Sequence, residues 1–139
     1  MIVSDESVKK ELLRKDLLYP EESYKIIGIL FDVYNELGPG HHEKYYQRAI
    51  SHMLKKHGID FQEQFYTPLY YRGITIGKQF FDFLIENKII LEIKKGDKFS
   101  HHHIKQVSSY LKTSGYKLAI LANFGRNGIT FKRIINLDS

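Results

Sequence analysis

Three charged side chains interrupt the most apolar stretch of the chain, Phe80 to Lys95: Asp82, Glu92 and Lys94. Glu92 and Lys94 stand two apart, so on a strand their side chains leave the same face. The stretch reads as two strands around a tight turn at Glu86-Asn87-Lys88, with aromatic and β-branched residues on either side. Such a hairpin brings Asp82 across to that face. Two carboxylates there can bind a divalent cation through oxygen. A neighbouring lysine can orient a water or meet a phosphate as a point charge. That combination suits phosphodiester hydrolysis. The same alternation also suits a strand with one solvated face, so the rest of the chain has to supply the context.

The elements that must position these residues follow from hydrophobic spacing. Ile26, Ile27, Leu30, Phe31, Tyr34 and Leu37 make a helical stripe over Tyr24–Leu37, stopped by Gly38-Pro39-Gly40. A second helix is expected over Glu43–Lys56, with Tyr46, Ala49, Ile50, Met53 and Leu54 inside. Glu43 opens it. A carboxylate there is favoured by the positive end of the helix whether or not it does chemistry. Tyr46 shares its face and suits a core position with the hydroxyl at the rim. Phe61–Tyr71 reads as a strand in which Pro68 signals either a sheet edge or a bend. Ile74–Ile85 reads as its partner, with a bend or bulge at Gly77.

Gly96 to Ser100 is a polar crossing, either a flap or a plain connection. A third helix, His101–Thr113, carries His103, Gln106 and Tyr110 three and four apart on one face, where they can line a cleft with the sheet carboxylates. The run His101-His102-His103 does not make a metal site, because consecutive helical side chains diverge. Tyr116–Ala122 and Ile129–Ile134 are two last strands around a turn at Asn127-Gly128. The order helix, helix, three strands, helix, two strands predicts an α/β fold with a mixed central sheet flanked by helices. Residues 1–22 read as an N-terminal arm, helical or flexible, and residues 23–139 as the domain itself.

Composition narrows the function classes. The 139 residues suffice for one domain. A net charge of +5 is compatible with a nucleic-acid partner. The absence of cysteine excludes disulfides, thiolate chemistry and cysteine-held zinc. No apolar run is long enough to cross a bilayer. The first residues lack the basic-then-apolar pattern of a signal peptide, so a cytoplasmic protein is expected. No glycine-rich phosphate loop or nucleophile elbow is present.

In this order the motifs resemble the GxxExxY protein family within the PD-(D/E)XK nuclease superfamily. The naming motif stands as Gly40-His41-His42-Glu43-Lys44-Tyr45-Tyr46, led in by Glu36-Leu37-Gly38-Pro39. Asp82 falls at the superfamily aspartate and Glu92-Ile93-Lys94 at its Glu-x-Lys. His103, Gln106 and Tyr110-Leu111-Lys112 match the following helix, and Asn123-Phe124-Gly125 the strand end. The likeness covers about residues 23 to 135. Tyr34 stands where the family commonly has histidine, His42 where it has an apolar residue, and Phe81 where it has a small one.

The resemblance implies a restriction-endonuclease-like fold and metal-dependent hydrolysis of phosphodiester bonds, in DNA rather than RNA. It implies that Glu43, Asp82, Glu92 and the carbonyl of Ile93 hold Mg²⁺, with Mn²⁺ as a substitute. Lys94 would position the attacking water, with Gln106 orienting Lys94 or a phosphate. Tyr46, His103 and Tyr110 would be auxiliary, and Lys95, Lys98, Lys105 and Lys112 would hold the backbone. A homodimer would suit a duplex with two strands to cut. The alternative is a nuclease-fold module, catalytically weak or inactive, that binds nucleic acid or a protein partner.

Overall fold

The computed structural model describes residues 18–136. The arm expected over residues 1–22 lies largely outside them. Helix α1 spans Pro20–Leu37, α2 Glu43–Lys56 and α3 His101–Ser114. The strands are β1 Phe61–Tyr71, β2 Ile74–Ile85, β3 Ile89–Lys95, β4 Leu118–Phe124 and β5 Ile129–Ile135.

Helix α1 starts at Pro20, four residues before the apolar stripe suggests. Proline is preset for the first helical turn and lacks the N–H that has no partner there. Glu21 and Glu22 fill the same turn. At its other end Gly38 takes φ +76° and donates its N–H to the Tyr34 carbonyl. Helix α3 is capped by the Ser100 hydroxyl, which accepts the His103 N–H at 3.3 Å, and ends on Gly115 in the left-handed region.

The five strands lie in the order β1-β2-β3-β4-β5. The pairs β1/β2, β2/β3 and β4/β5 are antiparallel, while β3/β4 is parallel through the α3 crossover. This is the expected mixed sheet flanked by helices. Glu86 and Asn87 both have positive φ, 53° and 54°, as a two-residue hairpin turn demands. Lys88 closes that turn onto the Ile85 carbonyl. Pro68 lies on the β1 edge as expected. The bulge places Ile76 as the extra residue between the pairs Leu69–Gly77 and Tyr70–Thr75.

The two faces of the sheet bury different cores. Phe83, Ile85, Leu91, Ile93, Ile120 and Ala122 pack under α1 and α2, together with Ile27, Leu30 and Ile50. Leu84, Ile90, Ala119 and Leu121 pack under Val107 and Leu111 of α3. The last strand pair sits slightly later than the apolar run suggests. Phe124 ends β4 as a core residue, edge-on to Tyr34 and 4.5 Å between centroids from Tyr46.

Candidate active site

The β2–β3 ladder stops at the pair Phe83–Leu91. Asp82 and Glu92 stand just beyond that point, where the strands part. Each carboxylate then caps the other strand. Glu92 Oε1 accepts the Asp82 N–H at 2.6 Å, and Asp82 Oδ2 accepts the Ile93 N–H at 2.7 Å. Two side chains thus replace the missing ladder bonds. The backbone turns at the same place. Residues two apart on a regular strand share a face, yet Phe81 packs with α3 and Phe83 with α1 and α2. Opposite Asp82, Gln64 takes φ +49° and breaks the β1–β2 pairing for one residue.

Helix α2 brings Glu43 to the same end of the sheet, where its Oε1 accepts the Lys95 N–H at 3.0 Å. One turn later Gln47 donates to Asp82 Oδ1 at 3.1 Å and accepts from Gln64 at 3.4 Å. The sequence reading did not single out Gln47, although its spacing of four from Glu43 puts both on one helical face. From the α3 side, His103 Nε2 stands 3.5 Å from Glu92 Oε2. That nitrogen is buried and makes no hydrogen bond among the described residues. Burial, then the charge of Lys94, holds the His103 pKa below its usual value. The contact is therefore a neutral imidazole beside an acid rather than an ion pair.

Glu92 is only 5% exposed. Burial first, and then the charge of Asp82, pushes its carboxyl up to about 8. Burial pushes Asp82 up to about 6, against the opposing pull of the Ile93 N–H and of Lys94. Glu43 raises both further through space. At neutral pH the pair thus retains a proton, held more firmly on the Glu92 side. Lys94 is exposed, and its charge acts on Asp82, Glu92 and His103 alike.

The other expected site residues divide. Gln106 donates to Gln79 Oε1 at 2.6 Å rather than to Lys94. Tyr46 is fully buried, and its hydroxyl donates to the Gly38 carbonyl at 2.7 Å and accepts the His41 N–H at 3.2 Å. It clamps the loop that aims Glu43. Tyr110 packs on Phe81 and Tyr116, where burial pushes its hydroxyl up to about 12. It lines a groove of about 500 Å³ between α3 and the outer ribbon, with Gln79, Lys105 and Gln106. The Lys95 ammonium reaches the Gly40 carbonyl at 3.4 Å. Lys98, Lys105 and Lys112 are exposed. The crossing after β3 is tied down. Gly96 donates to the Phe124 carbonyl, while Asp97 accepts the Arg126 N–H at 3.0 Å and meets its guanidinium at 3.4 Å. Tyr34, where the resembled family has histidine, donates to the Gly125 carbonyl at 2.7 Å.

The donor chemistry at this end of the sheet, carboxylates with a carbonyl and no thiolate, suits Mg²⁺ or Mn²⁺. The arrangement does not. Among the described residues, no three His, Asp or Glu side chains are grouped so as to hold an ion. Glu43, Asp82 and Glu92 each have an oxygen on a backbone N–H, and the second oxygens of Asp82 and Glu92 face different partners, Gln47 and His103. No described helix is long and apolar enough to cross a membrane.

The fold has counterparts among solved structures. The solved structure described as the crystal structure of SSO0001 aligns with a TM-score of 0.51 and 21% identity, over 96% of this chain and 60% of that one. This chain therefore spans less than two thirds of that protein. An alkaline exonuclease (LHK-Exo) from Laribacter hongkongensis aligns with a TM-score of 0.49 and 13% identity, over 96% of this chain and 77% of the other. No curated protein matches the sequence. A family profile described as the PD-(D/E)XK nuclease superfamily matches residues 20–134, from the first turn of α1 almost to the end of β5. With the split β2–β3 hairpin and its Asp82 and Glu92 inside that span, the chain belongs to the PD-(D/E)XK nuclease superfamily.

Proposed function

We propose that this chain is a nuclease-fold module that binds nucleic acid at the end of β3, with little hydrolytic turnover in the side-chain arrangement described. The observation that carries this reading is the reciprocal capping of Asp82 and Glu92 on each other's strand. Acids engaged in this way, one of them protonated at neutral pH, are poorly placed to share an ion. Around them the surface is basic. Lys94, Lys95 and Lys98 follow one another at the strand end and crossing, with Lys105 on the next helix. Cations in such a row suit phosphate oxygens regardless of base sequence. DNA is the expected partner ahead of RNA.

A second reading, metal-dependent hydrolysis, is favoured by a different observation. Lys94 lies in the field of two buried acids whose proton affinity is raised. Perturbed carboxylates beside a lysine are what active sites collect. In this reading Glu43 leaves the Lys95 amide and Glu92 leaves the Asp82 amide. These two, with Asp82 and the Ile93 carbonyl, become available to Mg²⁺ or Mn²⁺. Lys94 orients a water, and Gln106 exchanges Gln79 for Lys94 or a phosphate. The GxxExxY motif over Gly40–Tyr46 supports placing the chain in that narrower family. A cytoplasmic setting, a domain starting near residue 23 and a homodimer belong to the same picture.

One set of measurements separates the two. The purified chain is offered linear and circular DNA, single-stranded DNA and RNA, with Mg²⁺, with Mn²⁺ and with EDTA. Binding without cutting in every metal condition supports the first reading. Cutting that EDTA abolishes and Lys94→Ala severely slows, with folding intact, overturns it in favour of the second. Cutting that survives Lys94→Ala unchanged defeats both accounts of Lys94.

A further inference from the structure

Strand β3 pairs with β2 only over Phe83 to Ile85, so beyond Asp82 the β1–β2 pair continues alone as a two-stranded ribbon. From Asp82 to its tip at Ile74 it extends about 26 Å at roughly 3.3 Å per residue. One face, with Phe65, Leu69 and Gln79, turns toward α3 and its neighbours. The opposite face presents Tyr66 and Phe80, cross-strand partners each 49% exposed, with ring centroids 5.6 Å apart. The Lys78 ammonium stands 6.0 Å from the Phe80 ring, and at the tip the Arg72 guanidinium stands 5.6 Å from Tyr71. Between Glu63 and Asp82 there is no acidic residue.

We infer that this ribbon face is a track for single-stranded nucleic acid leading to the Asp82–Glu92 end of the sheet. The inference rests on the nucleic-acid reading above and names its substrate class. Exposed flat rings offer stacking to unpaired bases of any sequence, and cations beside them meet the backbone. A duplex keeps its base faces inside its own stack and gains nothing from the rings. A second copy of the chain is a poor occupant of the ribbon edge. Pro68 has no N–H to offer an added strand, and the Ile76 bulge twists the ribbon within a few residues of it. Protein-docking patches are also depleted of lysine at their centres, whereas Lys78 stands over the Phe80 ring. The ribbon is continuous with the candidate site, since Phe80 is two residues from Asp82 on the same strand.

The test is fluorescence anisotropy with the full chain and two probes, a labelled oligo(dT) of about 15 nucleotides, within the usual range for such sites, and a duplex of the same length. The parent is expected to bind oligo(dT) more tightly. Tyr66→Ala with Phe80→Ala should weaken that binding by about fivefold or more, while duplex binding stays within about twofold and the circular dichroism melt is unchanged. Tyr66→Leu with Phe80→Leu, which keeps apolar surface and removes the rings, should lose oligo(dT) equally. Lys78→Gln should reduce the log–log salt slope for oligo(dT) by about 0.7.

Undiminished oligo(dT) binding by the ring variants overturns the track alone, with the nucleic-acid reading intact. So does equal loss on both probes, or a parent dimer in sedimentation that the alanine variant dissociates. A parent that binds neither probe overturns both.

Discussion

Replacing Glu92 by Gln should make the protein more stable at alkaline pH and flatten its pH dependence. The amide keeps the shape of the protonated acid and an oxygen for the Asp82 N–H, which Glu92 now accepts at 2.6 Å. It cannot ionise. In the folded chain burial and Asp82 raise the Glu92 carboxyl from 4.5 to about 8. Because the folded pKa is the higher one, the native state holds the proton more tightly than the unfolded chain. The resulting penalty is absent below about pH 4.5, grows as pH rises and is complete above about pH 8. At about 1.4 kcal/mol per pKa unit the full rise corresponds to at most about 5 kcal/mol. Asp82 shares the same repulsion, so about 2–4 kcal/mol is assigned to Glu92. Urea unfolding at a series of pH values, in EDTA, reads this directly. The parent should lose stability from pH 5 to pH 9. The Glu92→Gln midpoint should fall only up to about pH 6, where buried Asp82 finishes ionising, and exceed the parent's at pH 9 by about 1–2 M. Parallel curves, or a less stable variant at pH 9, would refute the account. Adding Mg²⁺ separates the two functional readings by a route other than cleavage. If the acids take the ion, the parent's alkaline loss shrinks and the variant is unmoved.

Gly125→Ala should cost about 1–3 kcal/mol in chemical denaturation, because a Cβ there would meet Asp97 Oδ1 at 2.5 Å and the carbonyls of Gly128 and Gly96 at 3.2 Å. Tyr46→Phe should cost about 1–2 kcal/mol by unpairing the Gly38 carbonyl and the His41 N–H, and amide exchange in residues 38–43 should quicken. Lys88→Ala removes an exposed 3.2 Å pair with Glu22 and should shift the unfolding free energy by less than about 1 kcal/mol.

The legible parts of the chain were those governed by local periodicity. The stripe from Ile26 to Tyr34, the glycine stops and the two-residue turn at Glu86-Asn87 follow from spacing, because helices and hairpins close within a few residues, whereas Leu37 at the helix end is exposed. Asp82 and Glu92 were legible as neighbours because a tight hairpin fixes which residues face each other. The way they meet was not. Spacing puts two side chains on one face, whereas here the strand rotates at Asp82, so Phe81 and Phe83 enter different cores. That rotation depends on where β3 stops pairing and on Gln64 across the ribbon. Gln47 and Gln79 escaped notice for a related reason. A polar side chain on a helix face or strand suits solvent as well as a site, and their partners Asp82 and Gln106 are brought to them only by the assembled sheet. Tyr46 was placed correctly inside the second helix, but its hydroxyl turned out to clamp the preceding loop.

The opening between β2 and β3 gives the site its character. Three backbone N–H groups, those of Asp82, Ile93 and Lys95, are held there by the carboxylates of Glu92, Asp82 and Glu43. An amide buried without a partner costs about 1–3 kcal/mol, so Glu92 and Asp82, whose bonds are part-buried, withdraw to an ion only where something else accepts the N–H, while the exposed Lys95 N–H is open to solvent. Water can do so, and so can a phosphate oxygen, for which backbone N–H groups beside Lys94 make a natural set of donors. The three carboxylates and an incoming phosphate or water thus compete for the same three amides. While the acids hold them, the strand end is closed and the acid pair keeps its proton. If a phosphate or water takes them over, the carboxylates are freed together beside Lys94. Whether this chain cuts depends on how easily that exchange runs, and the pH dependence of its stability, with and without Mg²⁺, measures one side of it.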